Sequence, residues 1–213
     1  MKKRAAFASV GCMIACIVAL SGCGQTNTAS SNNSTNSKVT AKLTNPNETA
    51  VTHGNNLITG SKTIAGKANQ QHLVQIAQKD VKSYKAQLTA AQSALMNGDA
   101  STAITYYKRA AALQPNSGEA LTAIGNVYRI LKNDVKSAIP YYEQSTKVDP
   151  SYAFGWYQLA AAEAKLGDVS AAKSVIETGL KKVKSSDPAY ATLQSELQTL
   201  EGGQSASKAN SSK

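Results

Sequence analysis

The segment Gly98-Asp99-Ala100-Ser101-Thr102-Ala103 occurs three times in related form along this chain of 213 residues. Residues 133–138 read Asn-Asp-Val-Lys-Ser-Ala, and residues 167–172 read Gly-Asp-Val-Ser-Ala-Ala. The copies begin 35 and then 34 residues apart. A fixed period of this length is typical of stacked supersecondary units, each of which contacts only its neighbours.

Each copy is predicted to be a turn between two helices. The first copy is followed by Ile-Thr-Tyr-Tyr at 104–107 and then by Pro115, and the second by Ile-Pro-Tyr-Tyr at 139–142 and then by Pro150. A proline cannot continue a helix without losing a hydrogen bond, so the second helix of each pair should end there. Ahead of the second and third copies lie Leu121, Ile124, Gly125 and Tyr128, and then Trp156, Leu159 and Ala160.

These patterns resemble the tetratricopeptide repeat, a helix pair of 34 residues. The resemblance implies an all-α fold, a TPR-type helical-repeat solenoid spanning residues 66–201. Three helix pairs would occupy residues 84–117, 118–152 and 153–186, with a capping helix at 187–201. Apolar residues from about residue 69 onward suggest that the first helix lengthens or that another helix precedes it. A coiled coil or a plain helical bundle is the structural alternative.

The resemblance also assigns the core. Small residues let the two helices of a pair approach closely, while bulky ones fill the space toward the next unit. The small positions are Ala91, Gly125 and Ala160 on the first helices and Ala103, Ala138 and Ala172 on the second, and the bulky positions are Tyr107, Tyr142 and Ile176. The chain departs from the family pattern at Gln87, where a large residue is usual. It also has one extra residue before Asn133 and no closing proline in the third unit.

The N-terminus carries an export signal pattern. Lys2, Lys3 and Arg4 precede an apolar stretch at residues 5–20, which is short for a membrane span. The ending Leu-Ser-Gly-Cys at 20–23 resembles the cleavage and lipidation site of bacterial lipoproteins. The resemblance implies a signal peptide at 1–22, a diacylglyceryl group on Cys23, and a chain anchored at the extracytoplasmic side of a bacterial cell membrane. An ordinary secretory signal or an uncleaved anchor is the alternative.

Composition changes after Cys23, where Ser, Thr, Asn and Gly dominate and few large apolar residues occur. Residues 23–65 are therefore predicted to be a lipid-anchored flexible linker, and residues 202–213 a disordered tail. A random coil of about 40 residues spans on the order of 35 Å, enough to hold a folded domain clear of the lipid headgroups.

Charge and residue usage argue against several functions. The formal net charge is +10, but residues 66–201 contain fifteen Lys and Arg against twelve Asp and Glu, interspersed along the chain, so no nucleic-acid surface is predicted. His53 and His72 lack companions at metal-ligand spacing. No nucleotide-binding loop or serine-nucleophile motif is present. The chain is therefore not expected to be an enzyme or to bind a metal or cofactor.

The family resemblance implies a protein-interaction adaptor that binds a partner protein or peptide on the concave face, which the first helices line. The lining positions that carry over as partner-binding candidates are Lys85, Leu88, Gln92, Asn126, Arg129, Ile130, Phe154, Tyr157 and Lys165, with Leu95, Met96, Glu119, Thr122 and Ala161 beside them. Phe154 and Tyr157 are the candidate anchors, whereas Trp156 is assigned to the core.

Asn126 occupies a position that contributes to a carboxylate clamp in chaperone-binding members of the family. Leu88 and Gln92 stand where that clamp needs a basic residue and an asparagine, so capture of a peptide C-terminus is not predicted. Two other functions stay open: a small-ligand carrier in a transport system, which would need a closed pocket, and a passive spacer, which would have a uniformly polar groove.

Overall fold

A computed structural model describes residues 48–53 and 56–210 and divides the chain into two units, Met1–Lys62 and Thr63–Lys213. The signal segment at 1–22 and Cys23 lie outside the described residues. In the first unit, β1 (Glu48–His53) pairs antiparallel with β2 (Asn56–Ser61), in a register that runs from Glu48 opposite Ser61 to His53 opposite Asn56.

This hairpin lies inside the segment for which composition predicts a flexible linker. Its strands are richer in β-branched residues than the surrounding Ser and Asn runs, since Thr49, Val51 and Thr52 oppose a strand with Ile58 and Thr59. The two residues between the strands are Gly and Asn, a pair that favours a two-residue hairpin loop.

The second unit is built of helices joined by short connections, so the predicted all-α helical-repeat solenoid is confirmed. Its helices are α1 (Lys67–Lys79), α2 (Tyr84–Met96), α3 (Ala100–Leu113), α4 (Gly118–Leu131), α5 (Val135–Val148), α6 (Ala153–Lys165), α7 (Val169–Lys182) and α8 (Tyr190–Asn210).

The helices form two rows. Each helix packs against the next one in sequence, and each even-numbered helix also contacts the next even-numbered one, as in α2 with α4, α4 with α6, and α6 with α8. Helices of the even-numbered row therefore lie closer together, which makes this row the inner, concave side of the array. We call it the inner row, and α1, α3, α5 and α7 the outer row.

The repeated turn has one structure in all three pairs. Its first residue adopts a left-handed conformation, with φ of 76° at Gly98, 51° at Asn133 and 93° at Gly167. Glycine and asparagine are the residues that tolerate this region best. The following Asp99, Asp134 and Asp168 then cap the next helix, and each carboxylate accepts a hydrogen bond from a first-turn backbone N–H at 2.8–3.0 Å.

The extra residue of the second helix pair is accommodated at the C-terminal end of α4. In the first turn, the Asp99 N–H donates to the Ala94 carbonyl five residues back, whereas the Asp134 N–H reaches six residues back to the Tyr128 carbonyl, at 3.0 Å. The Lys132 N–H also spans five residues, to Val127 at 3.3 Å. The helix end thus widens by one residue, and Asp134 still reaches the capping position.

The predicted core positions are buried, and two bulky side chains fill spaces that glycines leave open. Tyr142 is fully buried, and a Cβ added at Gly125 would lie 2.7 Å from its Cδ1 atom. A Cβ at Gly179 would lie 2.8 Å from Trp156 Cγ. Real Cβ atoms do not approach this closely, so the helix pairs α4–α5 and α6–α7 depend on glycine at these crossings.

Gln87, the departure from the family pattern, has a specific role. Its side chain is fully buried, and its Nε2 donates to the carbonyls of Ala77 at 2.7 Å and Asp80 at 3.1 Å. Trp156, at the corresponding position of the third helix pair, donates from Nε1 to the Pro150 carbonyl at 2.9 Å. Both side chains therefore bond backbone carbonyls at or just after the end of the preceding outer helix.

The last helix differs from the prediction in its bounds. Asp187 and Pro188 form a turn in which the Ala189 N–H donates to Asp187 Oδ1 at 2.8 Å, and α8 then begins at Tyr190. The helix continues to Asn210, into the segment predicted to be a disordered tail. Leu193 is fully buried against the α6–α7 pair. Once such packing has nucleated a helix, each further residue that is ordered adds one backbone hydrogen bond.

We predict that Gly125→Ala destabilises the repeat array by about 1–3 kcal/mol, because the added methyl overpacks the buried Tyr142 ring. The matched control is Gly202→Ala in α8, where no atom lies within 4 Å of the added Cβ. Alanine should raise stability there through its higher helix propensity. Urea unfolding followed by circular dichroism measures both, and equal effects of the two substitutions would contradict the packing explanation.

We also predict that the capping aspartates make the free energy of unfolding depend on pH in the acid range. Burial opposes ionisation of Asp99, but hydrogen bonds from Thr102 and Gln70 outweigh it and lower its pKa; hydrogen bonds from Ser137 lower the pKa of Asp134. Their stabilising contribution is therefore full above the ordinary aspartate pKa, near 3.8, and is lost as pH falls through the folded-state value.

The test is the double variant Asp99→Asn and Asp134→Asn, since asparagine retains the cap without the carboxylate. Its deficit in unfolding free energy relative to the parent chain should be largest near neutral pH and should shrink below about pH 4. A deficit that is unchanged between pH 7 and pH 3 would mean that these two carboxylates do not contribute through their ionisation.

Candidate protein-interaction surface

The predicted lining residues lie on α2, α4 and α6 of the inner row, but they differ in accessibility. Lys85 and Lys165 are exposed. Five others are partly buried and keep some surface, namely Leu88, Gln92, Arg129, Phe154 and Tyr157. The structure therefore leaves accessible side chains at both ends of the predicted surface.

Asn126 and Ile130 are the exceptions, because they are only 7% and 8% exposed. The Tyr142 hydroxyl donates to Asn126 Oδ1 at 2.9 Å, so this amide oxygen already has a partner inside the α4–α5 pair. Thr122 is also buried and shares a 2.7 Å hydrogen bond with Ser145. These α4 positions therefore hold the helix pair together and offer almost nothing to a partner.

The start of the inner row is tied together by a polar contact. The Tyr84 hydroxyl at the beginning of α2 donates to Glu119 Oε2 on α4 at 2.7 Å. Burial raises the pKa of Tyr84, and the hydrogen bond and negative charge of Glu119 raise it further. Glu119 is thus already engaged within the chain, which reduces its availability to a partner.

Three aromatic side chains gather at the beginning of α6. The rings of Phe154 and Tyr157 stack with centroids 6.2 Å apart and an interplanar angle of 18°. Tyr152 meets Phe154 edge to face at 6.3 Å and 73°. All three are partly buried and retain accessible surface, whereas Trp156 turns the other way into the core against Gly179. We call Tyr152, Phe154 and Tyr157 the aromatic triplet.

Charged groups from the two neighbouring inner helices, α4 and α8, act on the Tyr157 hydroxyl. Burial raises the pKa of Tyr157; the negative charge of Glu196 on α8 raises it further, while the positive charge of Arg129 on α4 lowers it. Burial also raises the pKa of the Glu196 carboxyl. The Arg129 Nε atom is buried and has no hydrogen-bond partner among the residues that the structure describes.

Tyr152 and Glu196 are the members of this surface that the sequence analysis did not assign. The sequence predicted only a capping role for the last helix, so the contribution of α8 to the inner row was not predicted. The repeat period was the available signal, because Tyr190 at the start of α8 follows Trp156 by 34 residues. The packing of α8 on α6 then brings Glu196 within electrostatic reach of Tyr157.

The described part of the chain offers other kinds of site little support. No group of three or more His, Cys, Asp or Glu within residues 48–53 and 56–210 is arranged to hold a metal ion. A surface depression lined by Gln114, Pro115, Asn116, Ser117 and Asp149 opens to solvent on the loops between units. No described helix has the length and apolar character that crossing a membrane requires.

Comparison with known proteins agrees with this geometry. Residues 129–197 match the family model described as "Tetratricopeptide repeat". No curated protein sequence matches the chain. Among solved structures, a crystal structure of MamA aligns with a TM-score of 0.51 at 16% identity, covering 64% of this chain and 77% of that one.

Two weaker structural similarities accompany it. A second MamA crystal structure gives a TM-score of 0.48 at 22% identity, covering 54% of this chain and 62% of that one. The first TPR of Spaghetti, bound to an HSP90 peptide, gives 0.49 at 16% identity and covers 59% of this chain and 98% of that one. At these identities and scores, only the first MamA structure bears on the fold, and none of the three bears on function.

Proteins built from this repeat are generally non-enzymatic scaffolds, and the fold supports a role in protein–protein interaction. The family match to residues 129–197, together with the two-row helix geometry, supports a tetratricopeptide-repeat protein.

Proposed function

We propose that this chain is a membrane-anchored extracytoplasmic lipoprotein that acts as a protein–protein interaction adaptor. Its repeat array binds a segment of a partner protein along the inner row, and the aromatic triplet is the main contact. The observation that carries this proposal is the stacked, partly accessible Phe154–Tyr157 pair on the inner row of an open helical array.

The physical reason lies in what aromatic side chains contribute to binding. They bring a large apolar area while losing little conformational freedom, and they are frequent among the residues that dominate binding energy. Stacking on one another holds Phe154 and Tyr157 in place before a partner arrives, which reduces the ordering cost of association. A passive spacer would not need such a preformed group on its inner row.

The anchoring part of the proposal rests on the sequence. Residues 1–22 have the charged start and apolar middle of an export signal, and Cys23 follows the Leu-Ser-Gly that resembles a lipoprotein processing site. A diacylglyceryl group places two acyl chains on one residue, and two chains hold a protein on a bilayer stably where one holds it only marginally. No membrane-spanning helix is required.

The carrier function finds less support than the adaptor. A solute carrier needs a pocket that surrounds most of its ligand. The depression found on the described surface opens to solvent and is lined by loop residues such as Asn116 and Ser117. The adaptor is therefore the better account of the described residues.

We predict that Cys23→Ser moves the protein from the membrane fraction to the soluble fraction of the producing bacterium, because the serine hydroxyl cannot receive the thioether-linked lipid. Cell fractionation and immunoblotting measure this. The control is Cys16→Ser, which changes a cysteine within the apolar stretch and should leave the protein at the membrane. Membrane retention of the Cys23 variant after a carbonate wash would contradict the lipid anchor.

We predict that the double variant Phe154→Ala, Tyr157→Ala loses a specific partner that the parent chain captures when intact cells are crosslinked. Removing both rings deletes the apolar contact while the core side of α6, formed by Trp156 and Ala160, stays in place. The control is Tyr141→Ala on the outer helix α5, which also removes a partly buried tyrosine ring. Circular dichroism verifies folding of both variants. The same captured proteins from all three chains would contradict the inner-row site.

A further inference from the structure

Resting on the proposed function, we infer that the partner segment is acidic as well as apolar, with an internal Asp or Glu side chain bonded to Arg129 and a neighbouring apolar side chain on the aromatic triplet. Arg129 and the aromatic triplet lie on adjacent inner helices, and the charge along the inner row favours an acidic occupant.

Arg129 is the first step. Its Nε is buried, and no hydrogen-bond acceptor within the described residues meets it. Because the chain itself covers this atom, a partner would bond the part of the guanidinium that remains accessible. A carboxylate is the acceptor that fits a guanidinium best, because two parallel N–H···O bonds can form.

Aromatic side chains lie on the helix next to the one that carries Arg129. Arg129 lies on α4 and Tyr157 on α6, two inner helices that contact each other, and the charge of Arg129 acts on the Tyr157 hydroxyl. Tyr157 in turn stacks on Phe154. A carboxylate on Arg129 would therefore have apolar surface next to it, and one extended segment could reach both with side chains close in sequence.

The net charge of this region is positive. The charged side chains on this part of the inner row are Arg129 on α4, Lys165 at the exposed end of α6, and Glu196 on α8. Two cations against one anion leave this part of the inner row with a net positive charge. On the α2 side, Glu119 is engaged by Tyr84. An acidic segment is thus the electrostatic complement of this surface.

The chain's own termini do not supply that segment. Residues 24–47 contain Lys38 and Lys42 and no Asp or Glu, and residues 202–213 contain Lys208 and Lys213 and no Asp or Glu. Neither stretch can therefore present an acidic side chain to Arg129.

The test uses the full-length chain and two pools of fluorescent nine-residue peptides. The pools are identical in their Leu, Phe, Tyr, Gly and Ser positions and differ only at the central residue, which is Glu in one and Gln in the other. We expect the Glu pool to bind about tenfold more tightly or better, since a hydrogen bond to a charged group has this effect. Arg129→Gln should abolish that preference while leaving the Gln pool unaffected.

Two matched variants separate the inference from the proposed function. Lys108→Gln removes one positive charge from an exposed site on the outer helix α3 and should preserve the preference for Glu. Phe154→Ala with Tyr157→Ala should weaken binding of both pools. Equal binding of the two pools, lost in the aromatic variant, would overturn the acidic preference and leave the adaptor function standing. Binding of neither pool would overturn both.

Two other occupants of Arg129 have their own readouts. Coupling between Arg129→Gln and Glu196→Gln in a double-mutant cycle of urea unfolding would assign Arg129 to an internal ion pair and overturn the inference. Concentration-dependent dimerisation of the parent chain that Arg129→Gln removes would assign the site to a second copy and overturn it as well. Additive unfolding energies and a monomer at all concentrations are the expected results.

Discussion

The close approach of helices at glycine is the constraint on which the rest of the array depends. Tyr142 packs over Gly125, and Trp156 packs over Gly179. In both helix pairs a bulky side chain therefore fills the space that a facing residue without a side chain leaves open. The Trp156 contact also fixes the rotation of α6 about its own axis. Phe154 and Tyr157 lie two positions before and one position after Trp156 and are held on the accessible side, where they stack.

Two kinds of hydrogen bond then connect the helices, one within a pair and one between pairs. The left-handed turn followed by a capping Asp ends one helix and begins the next within a few residues, and it does so at the same place in every unit. Gln87 and Trp156 bond carbonyls at the end of the preceding outer helix. Because these contacts are local in sequence, the array tolerates one extra residue at the end of α4, where the helix end widens and the cap is retained.

The stabilising contacts and the proposed binding contacts use different faces of the same helices. On α4, Thr122, Asn126 and Ile130 are buried in pair packing, whereas Arg129 carries a buried donor without a partner. On α6, Trp156 and Ala160 are core, whereas Phe154 and Tyr157 remain accessible. A partner that contacts the second face would add to the inner row without disturbing the first, which suits a scaffold that must stay folded whether or not it is occupied.

The sequence by itself determined the repeat, its turns and its core, because these follow from short-range chemistry: a residue suited to the left-handed region, a capping Asp, a proline after the second helix, and small residues at helical spacing. Tertiary structure decided the rest. Asn126 and Ile130 carried the family's lining positions, yet their burial depends on how closely α5 packs on α4, which local residue spacing does not report. The pairing of strands 48–53 and 56–61 and the extent of α8 to Asn210 are likewise features that composition does not show. The meeting of Arg129, Tyr157 and Glu196 requires three helices to be placed side by side, because these residues are far apart along the chain and only the stacking of the inner row brings their charges together.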